Sequence, residues 1–453
     1  MTAGNPAIVD VEAVMDDTRF AGLPLLVMIC AAAILVLDGF DIQVIGFAAP
    51  AIAAEFGLHR SALVPVLAAS LIGMVVGGFT LGPWGDRQGR RPALIFSVLI
   101  FGLGTLMTAT ASDVATLTCW RFLTGVGLGG ALPNATALIA EFAPPRVRGQ
   151  VITAAIAGVP VGGMVGATIA AEIIPIVGWQ GIFVVGGALP LLALVVIHFV
   201  LPESPRYLAT RPERKPELTA ILNRVAGERR FNGNELFVLT QQIVSREIAA
   251  SGVFSPELLR DTLATWLIFT ANLFSVYCFY NWAPVVLTTL GMDLPTAVRG
   301  SLVFNTAGLA GAIATSWVIA RVGSRWPLAI LGVLGTVALL YLGQLVEESA
   351  GQAAELLPVS LIMMGIAVAG MAVLAMSVAM YVVAAHVYPT TCRSSGVGLA
   401  GSMGRIGGLL SALLGAAIMA RAGAAGFFVT VAGAFALTVL GVLMLRRHIP
   451  GRR

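Results

Sequence analysis

The chain has 453 residues, 58% of them hydrophobic and 11% charged, with a formal net charge of +4. Soluble domains carry roughly a quarter charged residues, so this composition excludes a water-covered globular protein and makes lipid the solvent for most of the chain.

The first twenty residues are polar and mildly acidic (Asp10, Glu12, Asp16, Asp17) and lead straight into an apolar run too long for a signal-peptide core. Runs of about twenty apolar residues cross a bilayer core. They fall at 22–50, 62–83, 92–111, 114–140, 149–172 and 179–201, and, after a polar stretch, at 263–290, 298–320, 326–346, 356–385, 394–420 and 425–445. The chain therefore divides into an N-terminal segment 1–21, a six-helix bundle 22–201, a central loop 202–262, a second bundle 263–445 and a tail 446–453.

An even number of spans puts both termini on one side. Of the 27 Lys and Arg, 22 fall on that side, three on the other and two inside spans. Positive charge accumulates on the cytoplasmic side of a membrane, so both termini and the central loop are expected there. The basic balance is thus an orientation signal and not a nucleic-acid footprint. Cys30, Cys119, Cys278 and Cys392 stand singly, with no paired spacing, so neither a metal nor a redox dithiol is implied. They read as small residues at helix contacts.

The sequence repeats itself weakly. Pro50 and Gly57 recur 234 residues later as Pro284 and Gly291, and Arg87, Gly89 and Arg91 as Arg321, Gly323 and Arg325. Further on the offset is 245, carrying Glu141, Pro144 and Arg148 onto His386, Pro389 and Arg393, and Val161-Gly162-Gly163 onto Ile406-Gly407-Gly408. Six spans, a basic linker and six spans again describe two parallel repeats, and transporters built so hold their site between the halves near the midplane.

The stretch Gly82-Pro-Trp-Gly-Asp86-Arg87-Gln-Gly89-Arg90-Arg91 resembles the signature loop of the major facilitator superfamily. Arg121-Phe-Leu-Thr-Gly125-Val-Gly127-Leu-Gly129-Gly130 resembles its fourth-helix motif, and Pro202-Glu-Ser-Pro-Arg206 fits after the sixth span. The resemblance implies an all-α membrane protein of that fold, with 12 transmembrane helices in two pseudo-symmetric six-helix halves. Leu37-Asp38-Gly39-Phe40-Asp41, Leu132-Pro133-Asn134-Ala-Thr136 and Tyr388-Pro-Thr-Thr-Cys-Arg393-Ser-Ser-Gly396-Val-Gly398 resemble the aromatic acid/proton symporters, bacterial permeases for benzoate-like and hydroxybenzoate-like acids. That likeness implies proton-coupled uptake of an aromatic carboxylic acid across the cytoplasmic (inner) membrane by a monomer. Its partners are the solute, protons and lipid; nucleic acid and cofactors have no part. One departure is Ala320-Arg321-Val322-Gly323, which lacks the Asp-Arg pair some relatives keep in the second half and puts an interaction symmetric with that of Asp86 in doubt.

A charge at the centre of a spanning helix costs about 2.5–3.5 kcal/mol on insertion scales, so each one asks for a reason. Asp38 and Asp41 are three residues apart and project from roughly one face of the first span. Two carboxylates in one cavity disfavour joint ionisation, the behaviour a reversible proton carrier needs; a structural ion pair with a nearby arginine is the alternative. Arg121 is expected at a similar depth as their counter-charge, or as a structural partner. Arg405, about twelve residues and roughly 18 Å into its span, is the candidate for the solute carboxylate, which a guanidinium grips bidentately; an ion pair with an acid is the other reading. Tyr277, Asn281 and Asn305 are chosen for ring-hydroxyl contacts, with Asn134 as a weaker addition, although aromatics here also serve packing. Asp86, Arg87, Glu141, Arg148 and Arg393 read as a gating set on the cytoplasmic side, or more simply as positive-inside anchors. A porter for a sugar, a non-aromatic organic acid or a drug is the rival within the class, and an aromatic-acid receptor lies outside it. No metal cluster, nucleotide loop or nucleophile–base pair points to an enzyme.

Overall fold

The computed structural model describes residues 7–228, 230–239, 252–349, 359–389 and 392–451, without the side chains of Arg60, Ser61, Arg393 and Ser394. A strand Ile8–Asp10 (β1) and a short helix Val11–Asp16 (α1) precede the first span, α2 (Leu23–Glu55). The first half continues with α3 (Val64–Gln88), α4 (Arg90–Thr108) and α5 (Val114–Phe142). Its fifth span joins α6 (Pro145–Ile156) to α7 (Gly158–Val177), and α8 (Trp179–Val200) completes it. The linker holds α9 (Pro205–Ala209), α10 (Lys215–Ala226) and β2 (Leu236–Val238). The second half comprises α11 (Leu259–Thr289), α12 (Leu294–Val322), α13 (Arg325–Glu348), α14 (Val359–Val387) and α15 (Arg393–Met444).

By its hydrogen bonding α15 is one helix of 52 residues, far more than the ~20 a bilayer core takes. Gly423, at φ 63° and ψ −166°, breaks it. That left-handed conformation suits a residue without a Cβ, and it divides α15 into the eleventh and twelfth spans. The fold is therefore twelve spans in two six-helix halves. The pairings match under the repeat: α2 with α7 in the first half corresponds to α11 with α15 in the second, α3 with α5 to α12 with α14, and α4 with α8 to α13 with α15. The halves meet along a seam where α2 packs on α11, α3 on α15 and α7 on α12.

Lipid-facing positions are apolar: Ile176, Leu192, Phe199, Trp326, Ile330 and Leu334 all stand exposed. Large apolar side chains left bare in such number mark a surface that lipid covers. Two spans entering from the side away from the termini, α5 and α12, start on carboxylate caps. Asp113 accepts from the Thr116 backbone N–H at 2.8 Å, and Asp293 from that of Thr296 at 3.2 Å. Those bonds answer N–H groups that a helix start leaves unpaired, and the Thr116 bond holds the Asp113 carboxyl below the usual carboxylate range.

The polar ends are more ordered than their composition suggests. β1 pairs in parallel with β2, Ile8 opposite Leu236 and Asp10 opposite Val238. Glu12 meets Arg206 at 3.1 Å and Asp16 meets Arg148 at 3.1 Å, so the acidic N-terminal segment is held against the basic linker and the start of α6. α11 starts at Leu259 rather than 263. A charged residue reads as loop, but Asp261 is buried and accepts from the Arg446 backbone N–H at 2.7 Å where α15 ends.

Candidate transport site

The sequence leaves Asp38 and Asp41 equivalent; the structure separates them. Both oxygens of Asp41 are bound by Arg121, Nη1 to Oδ1 at 3.3 Å and Nη2 to Oδ2 at 3.1 Å. The Thr105 hydroxyl also donates to Oδ1. Arg121 Nη2 reaches the Asp41 carbonyl at 3.2 Å as well, and its guanidinium lies over the Phe183 ring, 5.9 Å from the centroid. Asp41 and Arg121 are both 0% exposed. A buried pair repays its desolvation only with good geometry and further hydrogen bonds, and this one has both.

Asp38, one turn away, is buried with no hydrogen-bond partner on Oδ1. It lies within electrostatic reach of Arg405 and Tyr277, and Arg405 in turn of Tyr381. Arg405 stands half-buried on α15, its Nη1 against α3 where a Cβ on Gly78 would come within 2.8 Å of it. The acid within electrostatic reach of Arg405 thus comes from the other half of the molecule. Tyr277 stacks its ring on Gly408 of α15 and meets Tyr280 edge-on at 5.9 Å. Tyr381 meets Phe269 edge-on at 4.9 Å. One carboxylate, one guanidinium and two phenols therefore converge at the seam from α2, α15, α11 and α14. Tyr381 escaped the sequence reading because nothing in the apolar run of α14 distinguishes it from a packing aromatic.

The amides fall elsewhere. Asn305 is bonded to Gln43 of α2, Nδ2 to Oε1 at 2.8 Å, which engages the donor chosen for a solute. Asn281 is buried with its Nδ2 unpartnered. Asn134 accepts from Arg90 at 3.3 Å and donates to the Leu81 carbonyl at 3.1 Å, which places it beside Arg90 and away from Arg405.

That gating set gathers on the face of the termini. Asp86 pairs with Arg90, Arg90 lies 3.6 Å from Glu141, and the Ser204 hydroxyl donates to Glu141. Arg148 is drawn to Asp16, and the Arg87 carbonyl accepts from Arg211 at 3.1 Å while its side chain is exposed. The Arg393 side chain lies outside the described residues. Glu203 was missed as a participant. Its carboxylate accepts from the backbone N–H groups of Arg91 at 3.2 Å and Ser204 at 2.7 Å, pinning the loop between α3 and α4, and burial pushes its carboxyl up. In the second half the chain after the last span takes this place. Ser324 donates its N–H to the Ile449 carbonyl at 3.0 Å, and Ile449 donates to Ser324 Oγ at 3.0 Å. The repeat offset of 245 carries Glu203 onto His448, so tail backbone replaces the carboxylate, and the missing Asp-Arg pair is bridged by other means.

Two six-helix halves with opposed charges at a shared seam define a membrane transporter. The chain belongs to the Major Facilitator Superfamily, whose family model matches residues 31–377. It is 32% identical over 413 residues to the gallate transporter of Pseudomonas putida, covering 91% of this chain and 89% of that protein. It is 33% identical over 416 residues to the 4-hydroxybenzoate transporter PcaK of Pseudomonas aeruginosa, covering 91% of each. Among solved structures, the inward-open xylose transporter XylE of E. coli superposes with a TM-score of 0.72 at 19% identity, covering 95% of this chain and 98% of that one. The last likeness concerns the fold alone.

Proposed function

We propose that this protein imports an aromatic carboxylate together with protons across the bacterial cytoplasmic membrane, as a monomer with both termini in the cytoplasm. One observation carries the reading: Asp38, buried in one half with an unpartnered carboxylate oxygen, lies within electrostatic reach of Arg405 in the other. The similarity to gallate and 4-hydroxybenzoate transporters supports the solute class, and the distribution of Lys and Arg supports the orientation.

The mechanism follows from competition for one guanidinium. While Asp38 is ionised its charge offsets that of Arg405. A proton on Asp38 removes the offset and leaves Arg405 to the solute carboxylate, which it binds in forked geometry. Tyr277 and Tyr381 supply flat walls and hydroxyls for the ring, the mix of apolar surface and few polar groups that a small-molecule site uses. An anion entering an inside-negative cell is opposed by about 2.3 kcal/mol per charge per 100 mV. One accompanying proton makes the step electroneutral and adds the pH gradient as driving force. Asp41, gripped by Arg121, holds α2 to α5.

Proteoliposomes with an acidic exterior should accumulate labelled 4-hydroxybenzoate, gallate or benzoate, and collapse of the gradient should end accumulation. Uptake of xylose but of no aryl carboxylate would refute the proposal.

A further inference from the structure

The seam holds a second built feature, which lies farther from the termini than Asp38. Gln43 is five residues beyond Asp38 on α2, about 7.5 Å at 1.5 Å per residue. Its side-chain amide and that of Asn305 on α12 bond reciprocally: Asn305 Nδ2 donates to Gln43 Oε1 at 2.8 Å and Gln43 Nε2 to Asn305 Oδ1 at 3.4 Å. Both residues are 0% exposed. The Gln43 amide is fixed from behind by α7, where a Cβ on Gly163 would fall 2.0 Å from Gln43 Nε2. Less than a turn farther along α2, Gly46 admits the Tyr280 carbonyl of α11 to within 1.9 Å of where its Cβ would stand. Around the amide pair, then, α2 and α7 of one half are in contact with α11 and α12 of the other. The surface pair Glu172–Arg299, at 3.5 Å, closes the same side at its rim.

A reciprocal amide pair has a property that apolar packing lacks. In a dry seam each broken bond leaves a buried donor and acceptor unsatisfied, so partial separation is unfavourable. Once the halves have parted far enough to admit water, both amides are satisfied again. Such a pair favours closed and open states over intermediate ones.

We propose that Gln43 and Asn305 form the latch that seals the solute site on the side away from the termini, closed in this structure and broken when the halves part there. This assigns Asn305 to the gate instead of the solute and gives Gln43 a positioning role. It depends on alternating access by two halves but not on which solute is carried.

The test needs no solute. Ser301 lies one turn farther out than Asn305 on α12, buried, with its hydroxyl unpartnered, so Ser301→Cys places a thiol just outside the latch. The exposed Cys119 is first replaced by serine. In purified protein a charged maleimide should label Ser301→Cys slowly, and at least tenfold faster when Asn305→Leu or Gln43→Leu is added. The swapped pair, Gln43→Asn with Asn305→Gln, keeps both donors and acceptors and should restore the slow rate. If the leucine variants do not yield folded protein, Asn305→Asp, which lacks the donating amide, should accelerate labelling instead. Labelling rates unchanged by the single variants, or acceleration that the swapped pair fails to reverse, would overturn the proposal.

Discussion

Arg405→Ala should abolish saturable uptake of an aromatic carboxylate while leaving the protein folded and in the membrane. Truncating one partner of a desolvated, hydrogen-bonded charge pair costs about 2–5 kcal/mol, which at 1.4 kcal/mol per decade is roughly 30- to 4000-fold in affinity. The loss should appear in equilibrium binding of the labelled acid as well as in transport. Arg405→Lys keeps the charge without the planar fork and should fall between. Gly78→Ala offers a milder probe, because its methyl would meet Arg405 Nη1 at 2.8 Å and must push the guanidinium aside. It should raise KM with little change in abundance. Binding unchanged in Arg405→Ala would remove the anion site from this seam.

Asp41→Asn should lower both abundance and thermal stability. Breaking a buried ion pair from one side leaves the other charge uncompensated, at about 3–5 kcal/mol, and here Arg121 would be stranded at 0% exposure. Replacing both partners with apolar residues of similar volume is often neutral for stability, so Asp41→Leu with Arg121→Met separates two roles. If the pair only holds α2 to α5, the double variant recovers abundance and transport together. That joint recovery is the outcome the account expects; if the charge also belonged to the transport cycle, abundance would return without transport. Melting temperature in detergent, measured beside uptake, distinguishes them.

How far the chain could be read before folding differs by region. Span positions were legible because lipid demands long apolar runs. The breaks within them were less so: the junction of α6 and α7 at Ala157 carries no charge, and Gly158 beside it is one of several glycines in that span. Gly423 could be placed between two spans because length alone required a turn there. The buried charges were legible as anomalies, but their pairing was not, since Asp38 and Asp41 look alike in sequence. Only the approach of α4 and α5 commits Asp41 to Thr105 and Arg121. The acid within electrostatic reach of Arg405 comes from the opposite half, a relation that no local pattern encodes. Gln43 passed unnoticed because a single amide in an apolar helix gives no sign of a partner 262 residues away. The β1–β2 pairing was hidden for a related reason: strands of three residues that meet across two hundred positions carry no periodicity to detect.

The two halves also reach a common architecture by different chemistry on the face of the termini. A buried glutamate pins the first signature loop, while tail backbone pins the second. Charge is thus concentrated in the half that also holds Asp38 and Asp41, and the second half contributes Arg405 to the seam.

Proton movement tested at Asp38 bears most directly on the whole account. Proteoliposomes carrying the wild-type protein and an internal pH dye should acidify inside when 4-hydroxybenzoate is added outside in the absence of any imposed gradient. Asp38→Asn should still exchange labelled for unlabelled acid across the membrane, but without moving the dye. Acidification by Asp38→Asn at the wild-type rate would show that the proton travels elsewhere, and the coupling proposed between Asp38 and Arg405 would be wrong.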